Sequence, residues 1–380
     1  MHDVDLTVVG AGVVGLAVAA RLAAPRRTVW ILERNRRAGE ETSSRNSQVI
    51  HSGLYYRPGS LKAEACVAGN RLLYPLCERL GVPHRRTGKL VVASSGEELP
   101  ALGRLARNGE ACGVEGIRLL EAGEVRRVEP HVRARAAIWV PSTGILDAAT
   151  LVRALAAEAR SRGAELLLQT RLVAVEPAPE GFRLTVRDPD GELFRYTSRL
   201  VVNAAGLEAD RVAALAGIEP EAAGYGLRFA KGEYFSVRPA KAGLIGRPVY
   251  PLPEAEVAGL GIHATPDLDG RLRLGPDLTW LDPGWRERPD FTVDPSKRHA
   301  FWEAAHRYLP ELEPDDLAPE MAGVRPKLQG PGEPPRDFVV RHEADRGLAG
   351  WVNMVGIESP GLTAAPALAE RVAGLLTDLL

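Results

Sequence analysis

Apolar residues recur in this chain with two rhythms, one of short runs and one of helical spacing, and their order predicts a mixed fold. Residues 5–9, Asp-Leu-Thr-Val-Val, form a short apolar run closed by a glycine turn, the pattern of a buried parallel strand. A helix is expected over 16–22 and a second strand over 28–32. Further helices are expected over 61–80, kinked at Pro75, over 98–113, over 148–162 with Asp147 as its N-cap, over 295–308 and over 362–379. Strands are expected at 89–93, as one bent strand over 165–170 and 172–176, as a hairpin of 181–186 with 192–196, and at 199–203. From 230 to 283 the runs are short and separated by Gly and Pro: 231–237, 249–250, 260–264 and 272–275. A strand end at 323–327 and a strand at 350–355 follow. The fold class is therefore α/β, a Rossmann-like nucleotide-binding part joined to an antiparallel-sheet part that covers a substrate.

Between the first strand and helix stands Gly10-Ala11-Gly12-Val13-Val14-Gly15. Gly10 permits the tight turn, Gly12 lets backbone approach a pyrophosphate, and Gly15 lets helix and strand pack closely. Free N–H groups of the helix start then face the phosphates. Glu33, at the end of the second strand, is placed to accept a hydrogen bond from the ribose of an adenosine. Strand, turn, helix, strand and acid in this order point to a dinucleotide site.

Composition changes this picture little. The chain of 380 residues is 45% hydrophobic with a formal net charge of -1, which gives no reason to expect nucleic acid. Cys66, Cys77 and Cys112 have no metal-ligand spacing and read as reduced thiols, and no metal site is expected. No apolar run reaches the length of a spanning helix, so a cytoplasmic protein is expected, with peripheral membrane contact left open.

Two polar turns carry more information. Thr42-Ser43-Ser44-Arg45-Asn46-Ser47 follows the dinucleotide half-site and leads into Gln48-Val49-Ile50-His51-Ser52-Gly53-Leu54-Tyr55-Tyr56. Such hydroxyls and amides either wrap a phosphate or form a solvated loop. Gly356-Ile357-Glu358-Ser359-Pro360-Gly361 again precedes a helix, and is either an ordinary strand-to-helix turn or one whose positive helix end stabilises negative charge on a reduced flavin ring.

With Gly88-Lys89-Leu90, Gly261-Ile262-His263-Ala264-Thr265-Pro266, Leu274-Gly275-Pro276 and Ala322-Gly323-Val324-Arg325, these stretches resemble the L-2-hydroxyglutarate oxidase and dehydrogenase group. That group lies within the D-amino-acid oxidase superfamily of FAD enzymes. The resemblance implies an extended FAD held by Gly10, Gly12, Val13, Val14, Gly15, Glu33, Arg34, Thr42, Ser43, Ser44, Asn46, Ser47 and Gln48. It further implies contacts from Val173, from Ala204, Ala205 and Gly206, and from Gly356, Ile357, Glu358, Ser359, Pro360, Gly361, Leu362 and Thr363. It implies an FAD-binding domain of 1–84, 145–225 and 324–380, and a substrate domain of 85–144 and 226–323. Arg325 matches the arginine that forks onto a substrate carboxylate. Lys327 departs from the group's pattern, and it would bind a second carboxylate or a phosphate, or line a solvated edge.

The implied reaction oxidises a small 2-hydroxy acid, for which a histidine base is the usual choice. His51 is preferred over His263, and Tyr56 and Tyr250 are candidates for hydrogen bonds to substrate. Glycerol-3-phosphate oxidation, glycine or D-amino-acid oxidation, and a flavoprotein subunit without a substrate of its own stay open as alternatives. So does the electron acceptor, which is oxygen, a quinone or another protein.

Overall fold

Val4–Val9 occupies the middle of an eight-stranded sheet, parallel to Val29–Leu32 on one side and to the second half of Leu193–Asn203 on the other. The computed structural model describes residues 2–253 and 261–380. Ala164–Leu167 extends the parallel array beyond Val29–Leu32, and Trp351–Val355 extends it from Leu193–Asn203. These strands are nearly continuous in apolar residues because both faces are covered. Helices Val13–Leu22, Ala148–Ser161 and Gly361–Leu375 pack on one face around Leu6, Leu16, Ile31 and Leu368. On the other, an antiparallel meander of Arg171–Ala178, Gly181–Arg187 and the first half of Leu193–Asn203 buries Phe182, Leu184 and Trp351.

Two features of this sheet differ from expectation. The bent strand expected over 165–176 is two strands in different parts of the sheet, because Gln169 takes a φ of 52 and turns the chain. Its N–H donates to the Asn35 carbonyl and that of Thr170 to the Glu33 carbonyl, so the break is stitched to the acid at the end of the second strand. Conversely, 192–196 and 199–203 run together as one strand. Buried Ser198, which looks like a turn residue, accepts from Thr7 Oγ1 at 2.9 Å and donates to the Leu200 carbonyl.

A nine-stranded sheet stands against this body. Its longest pair is Arg228–Val237 with Leu317–Lys327, antiparallel over nearly their full lengths. Lys89–Ala93 forms where expected, between Ala136–Val140 and Val249–Pro251. Strands Arg118–Glu121 and Ala136–Val140 were not legible beforehand. The strand expected at 260–264 is Ala264–Pro266, with His263 just ahead of it; Leu260 lies outside the described residues. The helix expected over 295–308 opens as a 3-10 turn, Pro295–Lys297, and continues as Arg298–His306. A small three-stranded sheet of Val49–Ile50, Gly144–Leu146 and His84–Arg85 carries the chain between the two bodies.

Helices Leu61–Leu80 and Gly361–Leu375 cross at a glycine. A Cβ on Gly69 would stand 2.2 Å from the Thr363 carbonyl oxygen. Thr363 in turn uses its hydroxyl to accept the His51 N–H at 2.9 Å. Gly69→Ala is therefore expected to destabilise the protein by about 1–3 kcal/mol and to displace the His51 loop. Thermal unfolding together with turnover checks this, and an unchanged Tm would refute so close a crossing.

Candidate active site

The glycine turn works through close approach. Gly10 has a φ of +104, and a Cβ there would meet the Ala204 carbonyl oxygen at 2.5 Å; one on Gly15 would meet the Gly10 oxygen at 2.0 Å. No side chain fits either place. The turn opens on a cavity of about 350 Å³ lined by Gly10, Gly12, Glu33, Arg34, Thr42, Ser43, Val173, Ala204, Ala205 and Gly206. Ser43 Oγ accepts the Val13 N–H at 3.0 Å, so that hydroxyl stands at the helix start. Glu33 is buried and its two oxygens accept the Ala11 and Asn35 N–H groups, each at 2.9 Å. Burial raises its pKa, and remaining lone pairs leave it able to accept a ribose hydroxyl. Val173 is skipped by the strand ladder at the bulge between Leu172 and Ala174. Its backbone is thereby released from the sheet and lies in the cavity wall, which suits a purine edge. Turn, acid and bulge together fit the adenosine and pyrophosphate of FAD.

The strap from Thr42 to Gln48 has a different role from a bare row of phosphate-binding hydroxyls, because most of its side chains are spent on the fold. Thr42 donates to the Val324 carbonyl at 3.0 Å. Ser44 is exposed and donates to carbonyls of Glu40 and Glu41. Asn46 bridges the carbonyls of Thr42 and Ser43, Ser47 hydrogen-bonds Tyr234, and Gln48, with a φ of 59, accepts the Ala148 N–H. Arg34 pairs with Glu41 and Glu208 at the cavity wall, and Val14 packs into the main core. The strap therefore locks the first sheet onto the strand that carries Arg325.

At the C-terminal turn, Gly356 has a φ of +70 and the chain winds through Ile357 to Gly361 into the helix holding Leu362 and Thr363. Thr363 fastens the His51 loop, and Ser359 lies beside the Tyr56 hydroxyl. The Glu358 carboxylate is buried and accepts from Lys62 at 2.9 Å and from Lys327 at 2.9 and 2.7 Å. Lys327 is thus neither a solvated edge nor a cation waiting for a substrate, since burial between a carboxylate and apolar strand neighbours has already given it its partner.

The titratable residues converge elsewhere. His51 leaves the end of Val49–Ile50, with its carbonyl held by Asn70 Nδ2 at 2.9 Å. Burial, and then the charge of Lys89, lower its pKa to about 3, so the imidazole is neutral at physiological pH. His263 is buried and lies flat against Tyr250, with centroids 3.8 Å apart and planes within 4°. Its pKa is lowered well below the usual value, first by burial and then by the charges of His51, Lys89 and Arg325. Tyr250 is fully buried, and Tyr56 is half-buried. Arg325 is aimed by one hydrogen bond, Nη2 to the Asp277 carbonyl at 2.6 Å. Asp277 itself is fixed by the Glu233 N–H and by Lys297, both at 2.7 Å. Gly232 makes room, because a Cβ there would stand 2.6 Å from Arg325 Nη2.

Sequence reasoning missed Lys89 as a site residue. It opens an apolar strand and so reads as that strand's solvated end, yet it is only 1% exposed. Its Nζ lies 4.5 Å from the ring centroids of both Tyr55 and Tyr250. Asp277 was missed as well, because a carbonyl contact leaves no trace in residue type.

Comparison with known proteins finds relatives over nearly the whole chain. The family described as FAD dependent oxidoreductase matches residues 5–375. The chain is 37% identical to the mitochondrial L-2-hydroxyglutarate dehydrogenase of Arabidopsis thaliana, covering 97% of this chain and 83% of that protein. It is 31% identical to the human protein of the same name, covering 97% and 88%. Among solved structures it is similar to the L-alpha-glycerophosphate oxidase of Mycoplasma pneumoniae with FAD bound, with a TM-score of 0.86 and 26% identity over 99% of this chain and 95% of that one. Glycine oxidase from Geobacillus kaustophilus shares the fold, with a TM-score of 0.80 and 23% identity over 100% and 95%.

Two neutral histidines, His263 buried and His51 half-buried, make stability depend on pH. In the unfolded chain each binds a proton near pH 6.5, whereas folded His51 does so only near 3, so the unfolded state holds more protons between these values. Stability is expected to fall as pH drops below about 6.5. His51→Gln should flatten that slope in thermal melts between pH 7 and 5, and an unaltered slope would show that His51 is protonated in the folded protein.

Proposed function

The chain belongs to the family of FAD dependent oxidoreductases, and from that premise we propose that it oxidises L-2-hydroxyglutarate, or a 2-hydroxy acid close to it, to the 2-oxo acid. The observation that carries this reading is the match of nearly the whole chain to L-2-hydroxyglutarate dehydrogenases, with His51, His263 and Arg325 as the residues suited to the chemistry. An alcohol must lose its hydroxyl proton as its α-carbon is oxidised, and a neutral imidazole is the group that takes it. FAD, when bound, supplies the two-electron acceptor.

In this reading Arg325 forks onto the C1 carboxylate and fixes the α-carbon. A ring nitrogen of His51 takes the hydroxyl proton. Held flat on Tyr250, His263 contacts the hydroxyl from the other side and keeps it oriented, and Tyr56 closes the site beside Ser359. The buried setting excludes water and strengthens each of these contacts. His51 is held for this work through its backbone, by Thr363 and Asn70, which leaves the ring free. The first sheet with its helices would serve as the FAD-binding body and the second sheet as the substrate cover.

Glycerol-3-phosphate oxidation is favoured less, because Lys327, the cation placed to meet a phosphate, is joined to Glu358. No helix among the described residues is long and apolar enough to cross a membrane. Three free thiols suit a reducing compartment, here read as the cytoplasm, although the relatives' names print a mitochondrial place.

Anaerobic addition of L-2-hydroxyglutarate to the holoprotein is expected to bleach the flavin, while glycine, D-amino acids and glycerol 3-phosphate leave it yellow. Bleaching by an amino acid alone would overturn the reading. His51→Ala is expected to lower turnover by about 10²–10⁴-fold with flavin still bound. Arg325→Ala should raise KM and lower kcat together, and an unchanged kcat/KM would exclude Arg325 from carboxylate binding.

A further inference from the structure

Lys89 has no role so far, and its surroundings are unusual. Its side chain is among the largest fully buried ones in the protein. From the first position of Lys89–Ala93 it shares a face with Val91, against the cluster that holds Leu54 and Tyr250. Nζ sits between the rings of Tyr55 and Tyr250, 4.5 Å from each centroid. Among the described residues no carboxylate forms an ion pair with it, and the group that most offsets its burial is the Cys66 thiol, itself buried and held protonated. An ammonium left this way is strongly disfavoured unless something anionic meets it. The Tyr55 hydroxyl is also buried without a hydrogen-bond partner among the described residues, and the Tyr250 hydroxyl has only Thr265 near it. Buried polar atoms are rarely left so, and here they cluster around one cation beside His263.

We propose that Lys89 is the anchor for the distal carboxylate of a dicarboxylic substrate, with Tyr55 and Tyr250 as flanking hydroxyl donors, while Arg325 holds the carboxylate next to the reacting carbon. The inference rests on the oxidation of a 2-hydroxy acid at this site and names what selects among such acids. Geometry supports a two-ended site: Lys89 and Arg325 come from well-separated strands of the second sheet, and Ala264–Pro266, the strand that His263 leads into, lies between them in the sheet order. Lys327 cannot share this role, because Glu358 holds it. A monocarboxylic acid would leave the Lys89 ammonium buried and unpaired, which makes discrimination steep.

The test uses Lys89→Met in the holoenzyme, which keeps the apolar stem and removes the charge. For L-2-hydroxyglutarate, kcat/KM is expected to fall on the order of 100-fold, whereas for L-2-hydroxypentanoate, which lacks only the distal carboxylate, it should change by less than about 3-fold. Binding of glutarate and of pentanoate, read from the flavin absorbance, should show the same split. Equal losses on both ligands, or no loss on either, would overturn the assignment. Should the variant unfold or release flavin, the unaltered holoenzyme decides: glutarate must bind on the order of 100-fold more tightly than pentanoate, and similar affinities would refute an anchored second carboxylate. Failure of every 2-hydroxy acid to bleach the flavin would instead refute the oxidation reading, with the glutarate comparison still deciding Lys89.

Discussion

The hydroxyl of Thr363 is the joint on which the rest of the site hangs. It accepts the His51 N–H at 2.9 Å and stands 3.4 Å from the Val49 carbonyl, so the start of the C-terminal helix is bound to a loop more than 300 residues earlier in the chain. Gly69 lets the helix Leu61–Leu80 come close enough to press Thr363 into place. With that joint made, the C-terminal turn and the His51 loop present their faces to the same space. Neither segment has such geometry by itself, since both are short polar turns.

Burial then sorts the cations. Lys327 and Lys62 share Glu358, which leaves that group fixed and its charge largely neutralised. Arg325 needs no carboxylate, because a planar guanidinium tolerates partial burial with one carbonyl to aim it and keeps its remaining donors for a ligand. Lys89 rests on two tyrosine faces and has no carboxylate paired with it among the described residues. Burial first, and the positive neighbours after it, hold His51 and His263 neutral at physiological pH.

The nucleotide half of the fold was legible because its signals are local. Gly10, Gly12 and Gly15 are required by close contacts within one strand, turn and helix, and Asp147 caps its helix through the Thr150 N–H. His51 and Arg325 stood out through the resemblance, and their residue types suit the chemistry. What misled was burial against local polarity: Ser198 looked like a turn yet lies inside a strand, and the row of hydroxyls from Thr42 to Ser47 looked like phosphate ligands yet mostly satisfies backbone.

The sequence by itself determined the order of elements and the dinucleotide turn with its acid, because each follows from short-range spacing and residue chemistry, while Arg325 and the two histidines were picked out by the resemblance to a known family. Tertiary structure decided which cation is free. Lys327 and Lys89 are equally plausible as letters, and only packing shows that one faces Glu358 while the other faces two tyrosine rings, since the partner of a buried charge comes from strands and turns distant in sequence.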